Sequence, residues 1–109
     1  MKDFSELIKT RRSMRQFTDE LLSGDEVKLL LRAGLIAPSS KGLHSYEFIV
    51  VEDKQVLSAL SQSKQVGSDF LAGAPLAIVV VADPRISDVW TEDASVAACR
   101  NGSVCRHTR

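Results

Sequence analysis

At 109 residues, with 44% hydrophobic and 26% charged content, the chain has the composition of a folded globular protein and room for one domain at most. Fourteen basic and fourteen acidic residues give a formal net charge of zero, which argues against a general nucleic-acid binder. No apolar run approaches the roughly 18–20 residues of a membrane helix, and the start Met1-Lys2-Asp3 carries no signal-peptide apolar region, so a cytoplasmic location is the expectation.

Asp3-x-x-Glu6 has the form of a capping box, and Phe4, Leu7 and Ile8 follow at helical spacing, which predicts a first helix ending near Arg11. Ser23-x-x-Glu26 is a second capping box. Behind it Val27, Leu30, Leu31, Gly34 and Leu35 line one face of a second helix, which Pro38 blocks from continuing. Tyr46 to Val51, aromatic and β-branched, reads as a buried strand, and Asp53 as the cap of a short helix carrying Val56, Leu57 and Leu60.

After a polar stretch, Phe70 and Leu71 lead into Ala74-Pro75. Leu76 to Ala82 is then a second strand, whose unbroken apolar character implies cover on both faces and which Asp83-Pro84 stops. Thr91 to Ala98 begins a small-residue helical pattern that does not finish, because from Cys99 to Arg109 the chain is polar and basic with no amphipathic period. The expected organisation is therefore 1–98 as one folded portion and 99–109 as an atypical tail.

Two segments carry chemistry. Arg11-Arg12-Ser13-Met14-Arg15 puts three guanidinium groups and a hydroxyl beside one helix end, a local positive field in a chain of zero net charge. Ala37-Pro38-Ser39-Ser40 is a turn that offers hydroxyls and backbone N–H groups to a polar ligand. Each has an ordinary reading as well: cations at a helix C-terminus contribute about 0.3–1 kcal/mol each against the dipole, and Pro and Ser are common turn formers. Trp90 reads as a packing anchor rather than a substrate contact, and His44 as a surface loop residue. Cys99, Cys105 and His107 match no four-ligand zinc spacing, so no metal is expected, and two cysteines give no disulfide framework. No nucleophile–base pair, phosphate-binding glycine loop or dinucleotide fingerprint is present, and no catalytic side chain is assigned.

The order of Arg11-Arg12-Ser13-Met14-Arg15-Gln16-Phe17, Ala37-Pro38-Ser39-Ser40, Tyr46 to Val51, Phe70-Leu71-x-x-Ala74-Pro75 and Trp90-x-x-Asp93-Ala94-Ser95 resembles the N-terminal part of the nitroreductase family of FMN-dependent oxidoreductases, over roughly residues 3 to 98. The resemblance implies an α+β fold, a mixed sheet flanked by helices and incomplete relative to the family, in a homodimer with FMN at the interface. It implies an NAD(P)H oxidoreductase, with NADH or NADPH as hydride donor and nitroaromatics, quinones or similar small molecules as acceptors.

By position, Arg11 and Ser13 match residues that grip the FMN phosphate, and Arg12 a further phosphate or ribityl contact. Arg15 matches a cation near the N1/O2 edge of the ring, and Pro38, Ser39 and Ser40 a loop that reaches the flavin from the partner subunit. Gly42, where many members have Asn, and His44-Ser45-Tyr46, where many read Gln-Pro-Trp, depart from the pattern.

The stretch from residue 99 departs further, and a truncated or frame-shifted product is the expectation over a native short form. Uncovered apolar strand faces forgo about 1.5–3 kcal/mol per side chain, so a partner chain is expected to cover them, with FMN binding weakened or absent. The alternatives are a non-catalytic dimerising or flavin-binding fragment, and a small protein whose arginines hold a nucleotide or phosphate.

Overall fold

A computed structural model of the chain describes residues 3–108, with side chains through residue 101. The elements are α1 (Phe4–Thr10), α2 (Gly24–Leu35), a 3-10 turn at Ser40–Gly42, β1 (Tyr46–Val51), α3 (Lys54–Ser61), a second 3-10 turn at Asp69–Gly73, β2 (Ala77–Ala82) and α4 (Trp90–Thr108). This is the α+β class that the sequence predicts, with helices accompanying a two-stranded sheet of order β1–β2. The Asp83 N–H donates to the Ser45 carbonyl at 2.8 Å, which ties the start of β1 to the end of β2 and makes the pair antiparallel.

The helices start where side chains satisfy their first N–H groups. Asp3 Oδ1 accepts from the Glu6 N–H at 2.9 Å and opens α1. At α2 both halves of the box form: the Glu26 N–H donates to Ser23 Oγ at 3.1 Å, and the Ser23 N–H donates to Glu26 Oε1 at 3.0 Å. Asp53 Oδ1 accepts from the Gln55 N–H at 2.8 Å before α3. Helix α2 closes at Leu35, three residues before the proline that cannot continue it.

By contact, the chain forms two compact units, each built from separated segments. The first takes the described residues up to 12, then 23–48, then those from 80 onward. In it α2 packs on α4, and Ala37, Tyr46 and Ala97 form a buried core with Phe48, Val80, Ala82 and Ala94 against them. The approach of α2 demands a glycine: a Cβ on Gly34 would lie 2.5 Å from Phe48 Cζ and 2.6 Å from Asn101 Oδ1. The second unit takes residues 13–22 and 49–79. There α3 packs on the turn at Asp69–Gly73, Leu57 is fully buried, and Lys54 Nζ donates to the Ala74 carbonyl at 3.0 Å.

Five expectations need correction. Strand β1, read as buried, buries only Tyr46, and Ile49 is 50% exposed. Helix α4 does not stop near Ala98 but continues to Thr108. Polar residues hold a helical backbone as well as apolar ones do, and Ala97 and Asn101, one turn apart, are both buried. Strand β2 is not covered on both faces; its residues are half-buried and Val81 is exposed. β1 is its one neighbouring strand among the described residues. Leu35 continues the helical period of α2 yet is exposed at its last turn, and Trp90, expected as a packing anchor, is 39% exposed at the start of α4.

Candidate functional site

The arginine segment begins where α1 ends. Arg11 is the C-cap, extended at φ −61° and ψ 133°, and its backbone N–H donates to the Leu7 carbonyl. Arg12 behaves as a C-terminal cation ordinarily does, donating from Nη1 to the carbonyls of Lys9 at 3.0 Å and Arg11 at 2.7 Å. Both are exposed members of the first unit.

Ser13 and Arg15 are exposed members of the second. Arg15 lies over the Phe70 ring, 5.7 Å from its centroid, and Phe17 meets the same ring at 6.2 Å. An aromatic face thus supports the Arg15 guanidinium, and its hydrogen bond to the Ser13 carbonyl is long, at 3.5 Å.

These guanidinium groups have no carboxylate partner among the described residues. Among the described residues one ion pair forms, Arg85 Nη2 to Asp83 Oδ2 at 3.0 Å, far along the sequence in the turn after β2. Hydrogen bonds from Arg85 hold the Asp83 carboxyl below its ordinary value. Taken unit by unit, the Arg11 and Arg12 guanidinium groups of the first, and the Ser13 hydroxyl and Arg15 guanidinium of the second, are each donor chemistry that suits a phosphorylated cofactor.

The second segment is anchored by a residue that sequence reasoning did not place in the site. Pro38 is exposed, and Ser39 and Ser40 are half-buried. Ser39 Oγ accepts from the His44 N–H at 3.1 Å, and the Ser40 N–H donates to Asp93 Oδ1 at 3.0 Å. The Ser40 N–H is therefore already engaged, which leaves the two hydroxyl protons of the loop for a ligand. Asp93 sits in the first turn of α4 and is buried, with no hydrogen-bond partner for Oδ2 among the described residues. The sequence signals for it were its place in the Trp90-x-x-Asp93-Ala94-Ser95 segment and an acidic residue opening a helix of small residues. No hydrogen bond joins Arg11 or Arg12 to this loop among the described residues.

His44, at φ 46°, holds its ring Nδ1 3.0 Å from the Gly42 carbonyl oxygen and its edge against Tyr46, consistent with a loop residue engaged locally. Beside it a cleft of about 500 Å³ opens where β1 starts and β2 ends, with Ser45, Glu47 and Arg85 among its walls. Cys99 is exposed, while the side chains of Cys105 and His107 lie outside the described residues. No group of three or more His, Cys, Asp or Glu residues gathers among the described residues, and none of the described helices is long and apolar enough to cross a membrane.

Comparison with known proteins places these segments. A family profile described as the nitroreductase family matches residues 8–64, which include every site residue named above in the two segments. A protein of Archaeoglobus fulgidus, provisionally named NADH dehydrogenase/NAD(P)H nitroreductase, is 37% identical over 101 residues. That match covers 89% of this chain and 58% of the relative. One of the same provisional name from Methanothermobacter thermautotrophicus is 30% identical over 99 residues, covering 88% of this chain and 51% of the relative. Among solved structures, an FMN-dependent nitroreductase from Clostridium difficile R20291 superposes with a TM-score of 0.91 at 46% identity, over 94% of this chain and 60% of that one. The chain thus spans between half and two thirds of the length of these relatives.

Proposed function

The chain belongs to the nitroreductase family, and from that membership we propose that it binds FMN and acts as an NAD(P)H oxidoreductase toward nitroaromatic, quinone or similar small acceptors. The observation that carries the proposal is that the exposed guanidinium groups inside the matched family segment have no carboxylate partner among the described residues. FMN, when bound, supplies a ring that accepts hydride and releases electrons, which is why the protein needs no nucleophile of its own.

The residues of the chain have separate tasks. Arg11 offers bidentate, permanently charged donors to the phosphate, Ser13 adds a hydroxyl, and Arg12 contributes the N–H groups that its carbonyl contacts leave over. Arg15, supported on Phe70, supplies positive charge for the edge of the ring that becomes anionic on reduction. Pro38, Ser39 and Ser40 offer the loop contact, contributed by a second copy in a homodimer with the flavin at the seam. A small-molecule acceptor completes the cycle, with NADH or NADPH as donor.

The test is to purify the chain with FMN present and follow flavin absorbance through gel filtration, then add NADH or NADPH without oxygen. Retained colour that bleaches supports the oxidoreductase. Colour that persists supports the alternative of a flavin-binding module without turnover. Absence of colour overturns both. Arg11→Ala is expected to weaken FMN binding roughly 10–100-fold, the value of a charged hydrogen bond. Riboflavin binding should hardly change, because riboflavin lacks the phosphate.

A further inference from the structure

We propose that Asp93 is a positioning residue that sets the loop from Pro38 to His44 in its flavin-meeting conformation, an inference that rests on the cofactor reading above. The Asp93 side chain is 7% exposed, and its two oxygens differ. Oδ1 accepts from the Ser40 N–H at 3.0 Å, across 53 positions of sequence. Oδ2 is buried with no hydrogen-bond partner among the described residues. A half-satisfied buried carboxylate is a poor choice for stability alone, since desolvating a charge is expensive and one hydrogen bond returns little of it. The positive pole of α4 offsets part of that cost. The rest is explained by what the carboxylate holds.

What it holds is a strained loop. Lys41 at φ 55° and His44 at φ 46° occupy the left-handed region with side chains attached, and Gly42 at φ 64° stands between them. Each such non-glycine residue carries a steric cost that a right-handed conformation would avoid. Inside the loop, the Gly42 N–H donates to the Ser39 carbonyl, the Leu43 N–H to the Ser40 carbonyl, and the His44 N–H to Ser39 Oγ, all at 3.1 Å. Those bonds close the loop upon itself. Among the described residues, the bond from Ser40 to Asp93 is the one hydrogen bond that carries positions 38–44 to another element. With it, the serine pair has a fixed place on the first unit; without it, Lys41 and His44 can relax toward the right-handed region and take the serines with them.

The experiment compares the unaltered chain with Asp93→Asn and Asp93→Ala, by titrating FMN against quenching of its fluorescence and by amide hydrogen exchange. Asparagine keeps the shape and an acceptor oxygen for Ser40, so FMN affinity should stay within about threefold; alanine removes the acceptor and should weaken it about tenfold or more. In the alanine variant, exchange at Ser40, Gly42, Leu43 and His44 should accelerate while the amides of β1 stay protected. Equal affinity in all three proteins overturns the role of Asp93 alone. If Asp93→Ala does not fold, Asp93→Asn carries the test, and a loss of FMN affinity beyond threefold in that variant overturns the proposal. No flavin binding by the unaltered chain overturns the cofactor reading itself, and accelerated loop exchange in Asp93→Ala then shows that the anchor exists without that ligand.

Discussion

Tyr46 shows how one residue joins strand, helix and charge. Its hydroxyl lies 3.2 Å from the Gly34 carbonyl oxygen and 3.4 Å from that of Ala37, where it donates. Burial raises its pKa above the ordinary 10.0, and the carboxylate of Asp93 raises it further. Because the folded phenol keeps its proton to higher pH than the unfolded one, its contribution to stability is whole below about pH 10. It is lost as the pH climbs through the folded value. Tyr46 is the only tyrosine, so tyrosinate absorbance should show a midpoint above 10, and Tyr46→Phe should flatten the fall of melting temperature in that range. Asn101 poses the opposite case: it is buried, and neither polar atom of its amide has a hydrogen-bond partner among the described residues. Asn101→Leu, similar in shape and free of polar atoms, should raise stability by about 1–3 kcal/mol in denaturant unfolding. Neither residue announced these roles in the sequence; Tyr46 read as a strand residue and Asn101 as part of a polar tail.

At the scale of elements, the boundaries set by side-chain chemistry were legible and those set by packing were not. Asp3, Ser23 and Asp53 each stand at the predicted helix start, because a cap is a bond between residues two or three apart. β1 occupies the predicted range Tyr46–Val51, and β2 begins one residue later than expected. The length of α4 was missed, since what continues it past Ala98 is burial of Ala97 and Asn101 against residues distant in sequence. Ser23 gives the measurable case. Ser23→Ala removes the acceptor of the Glu26 N–H while Gly34, Leu30 and the packing of α2 on α4 are untouched. It should cost about 0.5–2 kcal/mol by thermal or denaturant unfolding. Ser23→Gly or Ser23→Asp should cost less, because both are tolerated at an N-cap.

For the molecule as a whole, helix α1 leaves apolar surface open, and the proposed homodimer is tested there. Helix α1 has no buried residue, and Phe4 and Ile8 are 77% and 62% exposed. A helix of seven residues does not persist in water without packing, and cover from a second copy is the outcome expected of the proposed homodimer. Phe4→Ser with Ile8→Ser should shift sedimentation velocity toward monomer and reduce helical content, and an unchanged dimer would place the interface elsewhere. By itself the sequence determined the caps, the strands, the family segments and the guanidinium cluster, all of which follow from neighbours within a few residues or from motif order. Only the tertiary structure decided that Arg15 rests on Phe70, that Asp93 is buried and tied to Ser40, and that α4 runs on with Asn101 against Gly34. Those facts depend on groups more than thirty residues apart meeting in space, where burial and hydrogen-bond satisfaction, rather than local preference, set the outcome.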